Sequence, residues 1–130
     1  MINTALVSYG MSGRVFHAPF IDLNPDFNLV GSWERSQKNI QARYPHTKSF
    51  ESYEEILNDP SIHLVIVNSP NDTHYEYTKR ALLAGKHAVT EKAFTVTVQE
   101  AEELDALAQK LNLKLAVYHN RRYDADFLTI

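Results

Sequence analysis

Thr4-Ala-Leu-Val-Ser-Tyr-Gly-Met-Ser-Gly13 is the stretch whose reading decides the fold. Thr4–Ser8 is a short apolar run that predicts a buried strand, and Tyr9–Gly13 is the turn that ends it. From Gly13 to about Leu23 the pattern is helical, with Pro19 shortening or bending the helix because it lacks an N–H and crowds the preceding turn. A glycine-bearing turn between a first strand and a first helix is where the dinucleotide fingerprint G-x-G-x-x-G sits. A residue without a Cβ lets the backbone approach a pyrophosphate, and the helix N-terminus offers N–H groups to the anion. Here Ser8, Gly10 and Gly13 hold the three positions. Serine is poor where positive φ is required, so the turn is expected to differ slightly from the three-glycine form.

The same alternation continues outward from this turn. Asn28–Trp33 predicts a second strand, Ser36–Arg43 a short polar helix, and Lys48–Phe50 a short third strand. Three Ser/Thr-x-x-Glu sequences read as capping boxes: Ser52/Glu55, Thr73/Glu76 and Thr97/Glu100. The first opens a helix that stops by Asp59-Pro60. The second opens one running to Ala84, with Gly85 as its cap. The third precedes Ala101, Leu104, Leu107, Ala108 and Leu111 at helical spacing. His63-Leu-Val-Ile-Val-Asn68 is apolar without alternation, which implies burial on both faces, as in a parallel sheet covered by helices. Lys86–Thr90 and Leu113–Tyr118 complete six strands. The expected fold is therefore a doubly wound α/β Rossmann fold, with a mostly parallel six-stranded sheet in the order 3-2-1-4-5-6.

Composition narrows the classes. The chain has 130 residues, 13 Lys+Arg against 16 Asp+Glu, a formal net charge of −3, 44% hydrophobic residues and no cysteine. That is the make-up of one ordinary globular domain. Without cysteine, disulfide scaffolds, zinc fingers and thiol nucleophiles are excluded. There is no apolar run of the ~20 residues a membrane span needs, and Met1-Ile-Asn-Thr4 has no secretory character. Mild acidity without a basic block argues against a nucleic-acid partner. A cytoplasmic protein with neither nucleic acid nor membrane as partner is expected.

About twenty residues after the glycine turn, Trp33-Glu34-Arg35-Ser36 closes the second strand. A carboxylate there accepts hydrogen bonds from both ribose hydroxyls and favours NAD, whereas a neighbouring guanidinium welcomes the 2′-phosphate of NADP. Both Glu34 and Arg35 are therefore candidate cofactor contacts, and the cofactor is NAD or NADP. Three polar clusters follow the fourth, fifth and sixth strands: Asn68-Ser-Pro-Asn-Asp-Thr-His74, Glu91-Lys92-Ala93 and His119-Asn-Arg-Arg-Tyr-Asp124. They converge where ligands bind in open parallel sheets. The six histidines show no metal-ligand spacing, so no metal site is expected. His63 and His87, at strand edges, read as hydrogen-bonded structural groups.

Taken together, the glycine turn with Phe16-His-Ala-Pro-Phe20 behind it, Pro70–His74, Ala84-Gly-Lys-His87, Glu91-Lys92 and Asn120-Arg-Arg122 resemble the N-terminal NAD(P)-binding domain of the Gfo/Idh/MocA oxidoreductases, the glucose–fructose oxidoreductase and inositol dehydrogenase family. The match runs nearly end to end. The resemblance implies hydride transfer between a nicotinamide cofactor and a sugar, cyclitol or related alcohol or ketone. It implies that Lys92 is the catalytic acid/base group at the reacting oxygen, a role favoured by burial or by neighbouring positive charge. Cofactor contacts are expected at Ser8, Tyr9, Gly10, Met11, Ser12, Gly13, Glu34, Arg35, Ser69, Pro70, Asn71, His74, Glu91, Lys92, Asn120 and Arg122. Glu91 would lie along the nicotinamide ribose.

Two departures stand out. Ala93 replaces the family's proline, the residue that makes a cis peptide cheap. The second departure is length: residues 1–130 are expected to form the dinucleotide-binding domain, without the C-terminal substrate domain that the resemblance implies. The 130 residues alone are therefore expected to bind cofactor with little turnover, and the apolar Phe127-Leu128 end to favour self-association. A homo-oligomer is expected. The alternative reading is a dinucleotide-binding or regulatory module without catalysis, or an inactive truncated remnant.

Overall fold

The computed structural model describes residues 1–11, 13–34, 39–92, 94–95 and 97–118. Its single sheet has six strands: β1 (Ile2–Leu6), β2 (Phe27–Trp33), β3 (Lys48–Phe50), β4 (Leu64–Val67), β5 (His87–Glu91) and β6 (Leu115–Tyr118). Their spatial order is β3-β2-β1-β4-β5-β6 and every pairing is parallel. This is the expected Rossmann topology. The chain direction across the sheet reverses between β1 and β4, so the crevice at their carboxyl ends is the place where this architecture binds ligands.

Period-two packing explains the sheet's position. Val7, Val65 and Val67 point to one face, where they share a core with Phe50 of β3 and with Tyr53, Ile56, Leu82 and Leu104 from the layer containing α3 (Tyr53–Asn58), α4 (His74–Leu83) and α5 (Val98–Lys110). Leu6 and Ile66 point the other way, onto Ala18 of α1 (Ala18–Leu23) and onto Ile40 and Tyr44 in and beside α2 (Ile40–Arg43). Each fully buried Leu or Ile contributes roughly 1.5–3 kcal/mol of transfer free energy. That two-sided demand is why β4 reads as an unbroken apolar run.

In β2 the pairing with β1 slips by one residue between Leu29 and Gly31, leaving Val30 as the extra residue of a bulge. Gly31 then lies so close to β3 that a Cβ would fall 1.9 Å from the Lys48 carbonyl oxygen. Only glycine fits there. At the opposite end of the sheet from the crevice, buried Lys86 donates to the carbonyls of Asp59 at 2.8 Å and Ile62 at 2.9 Å. His63 Nδ1 accepts from the Asn3 N–H, and His87 Nδ1 from the Lys114 N–H, extending the backbone ladder past the strand ends. Both are the structural groups the sequence suggests.

Three local expectations change. The helix expected from Gly13 to Leu23 is two pieces: a wide π-helical turn at Gly13–His17, then α1. Pro19, in the first turn of α1, has no N–H to give and its ring crowds the carbonyl four residues back, which the wider turn relieves. The helix expected from Ser36 is regular only over Ile40–Arg43, residues 35–38 lying outside the described set. The capping box at Thr73 does not form. Thr73 is already helical, closing a 3₁₀ turn at Asn71–Thr73, and its hydroxyl oxygen lies 2.6 Å from both the Pro70 carbonyl and the Ser69 hydroxyl. Because the carbonyl can only accept, Thr73 donates to it and accepts from Ser69. By contrast, Ser52 accepts from the Glu55 N–H, and Thr97 with Glu100 forms the full reciprocal box.

Candidate functional site: the crevice at the carboxyl ends of β1, β4 and β5

The crevice is built on a clamp. Ser8, just past β1, donates its N–H to Asn68 Oδ1 at 2.9 Å, and Asn68, just past β4, returns Nδ2 to the Ser8 carbonyl at 2.6 Å. Two strand ends are thereby fixed across the switch point by one amide side chain. Ser8 needs no left-handed backbone: among the described residues Asn112 and Gly85 are the ones with positive φ. Its hydroxyl accepts from the Gly10 N–H at 3.3 Å instead, so the serine shapes the turn through its side chain.

The two glycines of the turn serve different ends. A Cβ on Gly13 would lie 2.6 Å from the Ser8 carbonyl oxygen and 3.1 Å from Asn68 Nδ2, so the clamp itself requires glycine there. A Cβ on Gly10 would meet only Ser8 Oγ, at 3.6 Å. Among the described residues nothing demands glycine at position 10. The exposed backbone there is open to a ligand, as a pyrophosphate-binding turn requires.

Beside the turn, Tyr9, Arg14, Asn39, Arg43 and Tyr44 border a cavity of about 530 Å³ together with Pro19 and Ala42. Burial and the neighbouring Tyr44 push the Tyr9 hydroxyl above the usual phenol range, partly offset by Arg14. Two guanidinium groups thus border the space next to the loop. The carboxylate of Glu34, a residue only 6% exposed, accepts from the N–H groups of Asn39 at 2.7 Å and Ile40 at 3.2 Å and from Ser49 Oγ at 2.7 Å. The acid after β2 therefore caps α2 and ties β2 to β3.

At the other end of the crevice, Ser69, Pro70 and Asn71 form the loop after β4. His74, fully buried, lies beneath them with Nε2 2.7 Å from the Ser69 carbonyl, so Nε2 carries the proton. His74 supports this loop from below. Buried Thr78 and Thr90 join their hydroxyls at 2.7 Å and fix α4 to β5. Glu91 ends β5 and Lys92 follows it, exposed. Glu91 Oε1 lies 2.5 Å from Nε2 of His17, the last residue of the π-helical turn. Below that pair, Phe16, Phe20, Ile21, Leu64, Ile66 and Val89 border an apolar groove of about 340 Å³.

The chain can now be compared with known proteins. The oxidoreductase family model describing an NAD-binding Rossmann fold, Gfo/Idh/MocA, matches residues 2–119. The chain belongs to the Gfo/Idh/MocA oxidoreductase family. This Gfo/Idh/MocA domain is 43% identical over 129 residues to the uncharacterized oxidoreductase YdgJ of Escherichia coli, covering 99% of the chain and 37% of YdgJ. It is 41% identical over 129 residues to the scyllo-inositol 2-dehydrogenase (NADP(+)) IolW of Bacillus subtilis, covering 99% and 36%. The crystal structure of a proposed oxidoreductase from Bacteroides fragilis superposes with a TM-score of 0.95 at 53% identity, covering 99% of this chain and 40% of that one. The chain thus spans under two-fifths of the length of these curated relatives.

Of the expected contacts of this Gfo/Idh/MocA domain, Ser8, Tyr9, Gly10, Met11 and Gly13 gather at the turn. Ser69, Pro70, Asn71, Glu91 and Lys92 stand on neighbouring loops past β4 and β5. Ser12, Arg35, Ala93, Asn120 and Arg122 lie outside the described residues, as do Phe127 and Leu128. Two residues quoted in the sequence motifs had no role assigned to them, Asn68 and His17. Asn68 stands directly after the most apolar strand, and the partner of His17 lies 74 positions away. Among the described residues no helix is long and apolar enough to cross a membrane.

Proposed function

We propose that this domain holds NADP(H) for an oxidoreductase that moves a hydride between the nicotinamide and a carbinol or carbonyl carbon of a cyclitol or sugar. The observation that carries the reading is the turn itself: Gly13 is required by the Ser8–Asn68 clamp, while at Gly10 no contact among the described residues calls for glycine. The 2′-phosphate form of the cofactor is favoured because Glu34 is engaged by three internal donors, and because Arg14 and Arg43 border the cavity beside the loop. The name of IolW, a scyllo-inositol 2-dehydrogenase (NADP(+)), supports both the cofactor and the substrate class.

When bound, the nicotinamide supplies or accepts the hydride. The chain's own residues orient the reactants and move the proton. The turn at Ser8–Gly13 holds the pyrophosphate, and Ser69–Asn71 with Glu91 border the nicotinamide ribose. Lys92 Nζ, neutral, takes the hydroxyl proton as an alcohol is oxidised; protonated, it gives the proton to the carbonyl oxygen in reduction. Its position one residue past the end of β5 supports this role, because ligands of open parallel sheets bind outside the carboxyl ends of the strands.

Calorimetric titration with NADPH and NADH tests the cofactor assignment. Saturable binding of NADPH, about tenfold or more tighter than NADH, is expected; absence of binding to either overturns it. In the protein as its organism produces it, Lys92→Ala is expected to lower NADP+-dependent oxidation of cyclitols about 100-fold or more while cofactor affinity is kept. Equal rates would remove Lys92 from the chemistry.

A further inference from the structure

We infer that His17 is a positioning residue: it locks Glu91, and with it the β5 end that carries Lys92, to the helical turn following the phosphate loop. The two ends of a bound dinucleotide are thereby held by one rigid unit. The inference rests on the cofactor reading given above.

The geometry is specific. His17 is buried at 5% exposure, and its Nε2 meets Glu91 Oε1 at 2.5 Å, while Glu91 keeps 21% of its side chain exposed. An ionised carboxylate only accepts, so Nε2 carries the proton and donates. The direction of His17 depends on the π-helical turn, because five-residue spacing rotates the last residue of the turn away from where an α-helix would put it. That turn in turn exists where Pro19 disfavours a regular helix. Gly13, which begins the turn, is the residue packed against the Ser8–Asn68 clamp. One continuous run of five residues therefore has the phosphate loop at its start and the β5 carboxylate at its end.

On the near side, β1 and β4 are fixed by Asn68, and β4 pairs with β5 through Val67 and Thr90, one residue before Glu91. Glu91 itself has β6 beside it on one edge, through its pairing with Tyr118. The backbone at this strand end is held, but a glutamate side chain retains three rotatable bonds. His17 removes that freedom. A carboxylate already oriented costs less ordering entropy when a ribose hydroxyl binds to it.

The experiment compares a ligand that uses only the loop with one that spans both ends. ADP and NADPH are titrated calorimetrically into the wild-type chain and into His17→Ala, His17→Gln and His17→Asn, with thermal melts to check folding. A glutamine amide can place a donor near the position of Nε2; an asparagine amide falls short. We expect His17→Ala and His17→Asn to weaken NADPH about 10- to 100-fold, the range for loss of a hydrogen bond to a charged group, and to leave ADP within about twofold. His17→Gln should restore most of the NADPH affinity. An equal loss for ADP and NADPH would make His17 a support of the loop only and overturn the inference, as would an unchanged NADPH affinity in His17→Ala. Failure of the wild-type chain to bind NADPH at all would instead overturn the cofactor reading.

Discussion

Alanine at Gly10 and alanine at Gly13 should have opposite effects on stability and the same effect on cofactor binding. At Gly13 the new methyl would lie 2.6 Å from a backbone oxygen, where real Cβ contacts essentially never fall, and 3.1 Å from the amide of Asn68. Neither neighbour is the free end of a flexible chain: one is the Ser8 carbonyl, and the other donates to it. Overpacking of this kind costs about 1–3 kcal/mol. The two clamp hydrogen bonds, worth roughly 1 kcal/mol each, are the first to lengthen. A central loss of about 2 kcal/mol lowers the melting temperature of a domain this size by roughly 6–10 °C. At Gly10 the added methyl meets only a hydroxyl at 3.6 Å, an ordinary contact, and the backbone lies outside the left-handed region. Restricting the unfolded chain then stabilises the fold by about 0.4–1 kcal/mol, or roughly 1–5 °C. That same methyl occupies the space the pyrophosphate needs, so NADPH affinity should fall about tenfold or more despite the higher melting point. Melting curves and calorimetric titrations of the two variants provide the readout. If Gly10→Ala binds NADPH as the wild type does, or if Gly13→Ala melts no lower, the division of labour between the two glycines is wrong.

Two further outcomes follow from the packing. Thr97→Ala breaks the reciprocal box with Glu100 at the start of α5, and because Thr97 is exposed the loss is a capping loss, about 1 kcal/mol by chemical denaturation. Buried Tyr53 donates to the Tyr77 carbonyl at 2.7 Å, and its burial pushes the hydroxyl well above the usual phenol value. Its contribution is complete below about pH 10. Above that the unfolded chain releases the proton and the folded one does not, so stability falls with rising pH by up to ~1.4 kcal/mol per pH unit. Lys86, whose burial lowers its pKa, acts with the opposite sign just below its ordinary value, so the contrast of wild type with Tyr53→Phe isolates the tyrosine. The wild type should lose more stability than Tyr53→Phe between pH 9.5 and pH 11.5, two settings chosen roughly to bracket the phenol range; parallel curves would refute the assignment.

Much of this architecture was legible in local sequence because local physics decides it. The β4 run Leu64–Val67 is apolar on both faces since helices cover both, and the caps at Ser52 and Thr97 form because each side chain reaches an N–H three residues away. Thr73 has the same sequence signature and fails, because Ser69 and the Pro70 carbonyl, supplied by the tight loop after β4, compete for its hydroxyl. Glu34 stands where a ribose acceptor belongs, yet Ser49 on β3 and the first N–H groups of α2 claim it. His74 lies in the polar cluster that marks the crevice, but burial turns it into a support.

The sequence by itself determined the strand and helix order, the parallel sheet and the position of the phosphate loop, since hydrophobic period, glycine placement and capping act within a few residues of one another. Only the tertiary structure decided which polar groups face the crevice and which are consumed inside it. The Ser8–Asn68 clamp spans 60 positions and the His17–Glu91 pair 74. A buried polar group takes whichever partner the fold brings within about 3 Å, and that choice is made by packing rather than by proximity along the chain.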